Sequence, residues 1–307
     1  MFENQIEKDI LFHKTLNLIK TMKRILLIVL AAIIAMPMCV EAKSKSKKNI
    51  GLQLYSIHQD MGNVDASLKK VADAGYTVVE TLGSPNCFGM DAAAFKAMCD
   101  KHGLSIVSTH TSIGMDPKNE AAVMAQWRKV FEGLKTMGAK YCVIPGFGLG
   151  NDLKYLKQVC DYFNKVGKLG KEYGILLGYH NHAHEYEVRE GKCVWEYMIE
   201  NTDPDCVFFQ MDVYWTTRGG KDPVAYLQQY PDRIKMLHIK DDFVIGESGK
   251  IDFEAIFKQF YKNGYKDFVV EQEGAPGNSQ AERFAKMWEG VAKSANYLET
   301  SKFVKKK

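Results

Sequence analysis

From residue 49 onward the chain alternates short apolar runs with amphipathic segments, and this period restricts the fold more than any other feature. "NIGLQLYS" reads as a strand and "VDASLKKVADAG" as a helix closed by Gly75; "YTVVETLG" and "MDAAAFKAMCDKHG" repeat the pair. "LSIVSTHT" precedes a helix over roughly 118–137, "AKYCVIPGF" one over about 151–172, and "GILLGYHNH" one near 193–201. "CVFFQMDVYW" with "PVAYLQQY", "RIKMLHIKD" with "DFEAIFKQFYKNG", and "KDFVVEQEG" with a helix over roughly 279–299 complete eight units. Strands alternating with helices pair in parallel through crossover helices. Eight such units in about 250 residues predict a closed (β/α)8 TIM barrel. An open doubly wound sheet would need a glycine-rich phosphate turn after an early strand, and "YSIHQDMGN" is no such turn. One α/β domain over 50–300 is expected.

The ends read differently. From Met22, "MKRILLIVLAAIIAMPMCVEA" has a basic start, an apolar run and Val40-Glu41-Ala42 at the cleavage position, the layout of a secretory signal peptide. The apolar run from Ile25 to Ile34 is short beside the ~20 residues of a membrane span, and Cys39 follows Met38 where a lipoprotein has a small residue. Residues 1–42 are expected to be an upstream extension and signal peptide, 43–49 a basic linker and 301–307 a basic tail. Export across the inner membrane to the periplasm follows. Part of the formal net charge of +4 lies in "KSKSKK" and "KFVKKK", read as solvated ends. No basic stripe with interleaved aromatics points to nucleic acid. None of the cysteines after residue 42 forms a CxxC pair, and buried free thiols are expected.

In a barrel of this kind chemistry sits at the C-terminal ends of the strands. Glu80 ends strand two, His110 strand three, His180 and His182 strand five, and Asp212 strand six. His238 and Lys240 end strand seven, and Glu271 and Glu273 strand eight. Four of the chain's eight histidines thus fall on one rim with several carboxylates. Side chains alternate faces along a strand, so each of these paired residues shares a face and can meet its counterparts near the barrel axis. Imidazole and carboxylate donors suit a divalent ion such as Mn²⁺, Co²⁺, Zn²⁺ or Mg²⁺, and no thiolate set exists for a structural zinc.

The ordered pieces "GYTVVE", "YHNH", "MDVYW", "MLHIKD", "IDFEAIF" and "FVVEQE" carry a resemblance over roughly residues 50 to 298. The chain resembles the xylose-isomerase-like barrel superfamily, within it the sugar phosphate isomerase/epimerase family that includes inosose dehydratases and ketose 3-epimerases. The resemblance implies one divalent metal held by His180, Asp212, His238 and Glu271. Two positions depart from the epimerases. Those enzymes place a Glu at the end of strand five, where this chain has Tyr179-His180-Asn181-His182, and a His where it has Trp215. The "YHNH" form is more similar to dehydratase and keto-glycoside lyase relatives.

Proton removal beside a sugar carbonyl needs a base at the C–H bond and positive charge at the oxygen. A histidine of near-neutral pKa suits the first task. His182 or His110 is the expected base. Lys240 is expected to steady the oxyanion or protonate a leaving oxygen, and Glu80 to orient substrate hydroxyls or hold a histidine. Trp215, Tyr55, Tyr214 and Phe147 are candidates for a sugar pocket, Arg218 for an anionic group, and His58 for the rim; His102 and His184 read as structural. The expected activity is β-elimination on a 3-keto glycoside or related polyol derivative. Sugar isomerisation or epimerisation stands second, and a non-catalytic sugar-binding barrel is the alternative of another class. A three-zinc abasic-site endonuclease, also known in the superfamily, would need more ligands and a basic rim.

Overall fold

The computed structural model describes residues 48–306; the expected signal peptide lies outside them. Eight parallel strands close into a barrel: β1 (Gly51–Gln53), β2 (Val78–Leu82), β3 (Ser105–His110), β4 (Tyr141–Ile144), β5 (Leu176–His180), β6 (Val207–Asp212), β7 (Ile234–Ile239) and β8 (Asp267–Val270). Each strand pairs with its sequence neighbour, and β1 closes the ring by pairing Gly51 with both Val78 and Val269. The barrel expected from the alternating pattern is the one that forms.

Helices cover the outside: α1 (Val64–Asp73), α2 (Ala92–Lys101), α3 (Glu120–Met137), α4 (Leu153–Glu172), α5 (Val194–Asn201), α6 (Val213–Arg218), α7 (Pro223–Gln229), α8 (Phe253–Lys262) and α9 (Gln280–Thr300). Their starts follow from side-chain caps. Asp91, Asp152 and Asp252 each accept a backbone N–H three residues on, satisfying donors that the first turn leaves free. On α4, Leu156, Val159, Phe163 and Val166 recur at helical spacing and are buried against the sheet.

Alternation along the strands divides the interior into layers. Leu177 and Tyr179 on β5, Phe209 and Met211 on β6, and Leu237 and Ile239 on β7 face outward into the main hydrophobic cluster under the helices. Val107, Val143, Phe208, Met236 and Val269 point inward and form a separate apolar floor. Above them, on the same face, come Glu80, Gln210 and His238, then His180, Asp212 and Glu271. The floor depends on one glycine. A Cβ on Gly178 would lie 2.6 Å from the Phe208 ring, so its absence lets that ring fill the axis.

Three departures from the sequence expectation have local causes. The strand read in "CVFFQMDVYW" stops at Asp212, as expected for its end, and Val213-Tyr214-Trp215 instead start α6, because Asp212 caps that helix by accepting the Trp215 N–H at 2.8 Å. After β5, a short hairpin pairs Val188–Arg189 with Lys192–Cys193 before α5 begins. The two lysine-rich ends are not simply solvated. Lys48 pairs with Lys306 in an antiparallel bridge; its ammonium is buried and donates to the carbonyls of Leu298, at 2.9 Å, and Ser301. A cation there complements the negative end of α9. Among the described residues all six cysteines are buried free thiols, and no helix is long and apolar enough to cross a membrane.

Gly178→Val should overpack the floor and destabilise the fold by about 1–3 kcal/mol. Denaturant unfolding followed by tryptophan fluorescence measures this; an unchanged midpoint would show that Phe208 repacks freely.

Candidate metal centre and active site

The site begins with a carboxylate in the middle of the barrel. Glu80 has no solvent exposure, so its charge is tolerable only if donors surround it. They do. Oε1 accepts from Gln53 Nε2 at 2.7 Å and His238 Nε2 at 2.7 Å, and Oε2 from Ser108 Oγ at 2.5 Å and Gln210 Nε2 at 2.8 Å. His110 Nε2 lies 3.0 Å from both Glu80 Oε1 and Gln210 Oε1. Burial alone would raise the Glu80 pKa, but His110 and His238 outweigh it and hold the carboxyl well below the usual carboxylate range.

This layer decides which atoms face upward. Because His238 donates through Nε2 to Glu80, its Nδ1 is the nitrogen left to act as an acceptor. That Nδ1 lies 3.5 Å from Glu271 Oε2 and 3.9 Å from Asp212 Oδ2. His180 Nδ1, His238 Nδ1 and Asp212 Oδ2 are all buried without a hydrogen-bond partner. Donor atoms from His180, Asp212, His238 and Glu271 lie within 4.8 Å of one another, and His110, His180 and His238 form an overlapping group. Several buried acceptors facing one another repel unless protons or a metal cation lie among them. The two-nitrogen, two-carboxylate set therefore fits a divalent ion, with Glu80 as the outer carboxylate that orients a ligating histidine.

Asp212 has a split role. Oδ1 caps α6 while Oδ2 remains free for the cluster, so a structural and a ligating use coexist in one side chain. Burial, only partly offset by Lys240 and His238, pushes its pKa up to about 7. Burial works the other way on His180, which with its histidine neighbours falls well below the usual imidazole value. For His238 burial is outweighed by Glu80 and Glu271, and its pKa rises to about 10. The cluster thus gathers protons at positions where a cation would compete for the same lone pairs.

Two groups flank the cluster. His182 is half-buried, and burial lowers its pKa, so the ring is a neutral acceptor near pH 7. Its position depends on a residue that strand periodicity does not reveal. Glu185, fully buried, accepts the His182 backbone N–H at 2.8 Å and the Tyr179 hydroxyl at 2.7 Å. Lys240, which follows β7, lies 3.1 Å from Glu271 Oε2, paired with Glu273, and 5.3 Å over the Trp215 ring. Burial disfavours its charge, but Glu271, Asp212 and Glu273 prevail and raise its pKa, so it stays an ammonium. Trp215 also approaches His182, at 5.7 Å between rings, and so borders both groups.

The other candidates separate. His110 lies within the polar layer, with its ring 5.1 Å from His238 and 5.2 Å from His180. His102 pairs with Asp65 at 2.6 Å, away from the rim. His184 is exposed and stacks on His182 at 5.9 Å. Phe147 packs on Tyr162 and Phe163, Tyr214 against Trp215, and Arg218 is exposed at the end of α6. Gln53, Ser108 and Gln210 were missed as members of the site. Gln210 was legible, since it lies two residues before Asp212 on the same face.

The profile of the xylose isomerase-like TIM barrel family matches residues 68–301. An inosose dehydratase of Geobacillus kaustophilus is 25% identical over 264 residues, covering 73% of this chain and 84% of that protein. Two solved structures from Parabacteroides distasonis, each described as a sugar phosphate isomerase/epimerase, superpose on the barrel. One is 33% identical with a TM-score of 0.79, covering 86% of this chain and 98% of its own. The other is 36% identical with a TM-score of 0.77, covering 84% and 100%.

His180→Ala and His238→Ala should each abolish stoichiometric divalent metal, read by elemental analysis after dialysis. His182→Ala should retain the metal while turnover falls about 10²–10⁴-fold. Glu80→Gln should weaken metal affinity by about 10–100-fold; unaltered affinity would remove Glu80 from the role of orienting His238.

Proposed function

Because the chain belongs to the xylose isomerase-like TIM barrel family, and its relatives are sugar-modifying enzymes, we propose that it is a metal-dependent carbohydrate lyase. The reaction is β-elimination on a 3-keto glycoside or related keto-polyol, begun by proton removal beside the carbonyl. His180, Asp212, His238 and Glu271 would hold the ion, whose charge would stabilise the carbonyl oxygen as the neighbouring C–H bond breaks.

The observation that carries this reading is the unlike character of the two flanking groups. Inversion of a carbon by two bases needs, on each face of that carbon, a group that can both take and return its proton. Elimination needs an acceptor at the C–H bond and a lasting donor at the departing oxygen. His182, neutral through burial, is the acceptor; Lys240, kept charged by its carboxylate neighbours, is the donor. His182 takes the proton from the carbon next to the ketone. The electron pair forms a C=C bond to the anomeric carbon, whose bond to the glycosidic oxygen breaks, and Lys240 hydrogen-bonds or protonates that oxygen. The products are an alcohol and an unsaturated keto-sugar, with no water consumed. Glu185 keeps His182 in place, and Trp215 borders both groups. A second reading, isomerisation or epimerisation of a free sugar, is favoured by the description of the two solved relatives.

Incubation with a 3-keto glucoside and Mn²⁺ or Co²⁺ in ¹⁸O-water, followed by mass spectrometry, tests the lyase. The expected first sugar product is unsaturated and free of ¹⁸O. A saturated keto-sugar carrying ¹⁸O at the anomeric carbon would mean hydrolysis and sink the proposal. Solvent deuterium uptake without alcohol release would favour the isomerase or epimerase. The signal-peptide layout of residues 22–42 leads us to propose a periplasmic location. Cell fractionation should find the full chain there and a chain starting at residue 43 in the cytoplasm.

A further inference from the structure

Next to the metal cluster the rim contains a cavity of about 290 Å³, at the lower end of the roughly 300–1,000 Å³ usual for small-molecule sites. Several segments meet there. Tyr55 and His58 come from the 3-10 turn Leu54–Asp60 that follows β1, Phe243 from the loop after β7, Gln272 and Glu273 from the loop after β8, and Phe284 from the start of α9.

Two features mark the cavity as a binding site. Its wall is aromatic without being core. Tyr55 is 42% exposed and stacks on His58 with ring centroids 4.4 Å apart, while Phe243 and Phe284 are half-buried and join neither hydrophobic cluster among the described residues. The cavity also adjoins the reaction centre: Glu273 lines it and pairs with Lys240, itself 3.1 Å from Glu271. Lys240 is the group assigned to the departing oxygen, so the cavity lies beside the group that would meet that oxygen.

We propose that this cavity seats the substituent carried by the sugar, and that the substituent is a planar ring, as in an aryl glycoside. As the departing group of the reaction, this substituent deepens the elimination reading and rests on it. Faces of a flat ring match the Tyr55 and Phe284 rings, and a methyl substituent offers no such face.

Binding of 4-nitrophenyl β-glucoside and methyl β-glucoside to the full chain with Mn²⁺, followed by NMR titration, tests the assignment without turnover. The aryl glucoside should bind about 10-fold more tightly, the scale of burying one ring against aromatic neighbours. Tyr55→Ala and Phe284→Ala, at positions outside the core, should bring the two ligands within about 3-fold while bound metal and methyl-glucoside affinity stay unchanged. Equal affinities in the wild type, or a preference that survives both substitutions, would overturn the assignment. The same ratio in KM for the 3-keto forms separates the two readings. An aryl preference in binding without cleavage of any 3-keto glycoside leaves the cavity assigned and removes the elimination. Cleavage with equal KM for aryl and methyl substrates, unchanged in both variants, does the reverse.

Discussion

A single buried carboxylate organises this barrel. Glu80 carries charge at a point with no solvent exposure, and each of its oxygens is met by donors from other strands. Leaving such a charge unpaired costs several kcal/mol, so Gln53, Ser108, Gln210 and His238 are held in fixed orientations. Below, the layer rests on a floor closed by Phe208 beneath the bare Gly178. Above, the proton on His238 Nε2 commits its Nδ1 to the upward face. In the proposed metal site, affinity would thereby be coupled to a hydrogen-bond network beneath the ligands.

The upper layer is an electrostatic compromise. Asp212, Glu271 and Glu273 concentrate negative charge near two neutral-leaning imidazoles and one ammonium. Asp212 divides its oxygens between the start of α6 and the cluster, so the same hydrogen bond that starts a helix also aims a ligand. Lys240 is pulled toward the carboxylates, and His182 is set apart by the Glu185 clamp on its backbone. The result is an acceptor on the β5 side and a donor on the β7 side, the asymmetry on which the proposed elimination rests.

Much of this was readable because a barrel strand has a strict period of two. His238 and Lys240, two apart, had to share a face, and once the eight units closed that face could only be the axis. The same period would have flagged Gln210 from Asp212 and Gln53 from the end of β1. Where backbone leaves the strand the period ends, and legibility ends with it. Glu185 was passed over because its partners, Tyr179 and the His182 amide, are brought to it by a turn. The lysine-rich ends looked solvated because their composition says nothing of the free carbonyls at the end of α9, which give Lys48 a reason to be buried.

Alone, the sequence determined the strand–helix alternation, the closure into eight units, and the convergence of His180, Asp212, His238 and Glu271 on one rim, since those depend on hydrophobic period and residue type. Only the tertiary structure decided which atoms of those residues face the candidate metal site and which are spent on other partners. It also decided that Glu80 lies beneath the site as the carboxylate orienting His238, and that an aromatic cavity adjoins Glu273, the partner of Lys240. These are matters of distance between segments far apart in the chain, where one hydrogen bond at 2.7 Å from His238 to Glu80 chooses the nitrogen left free.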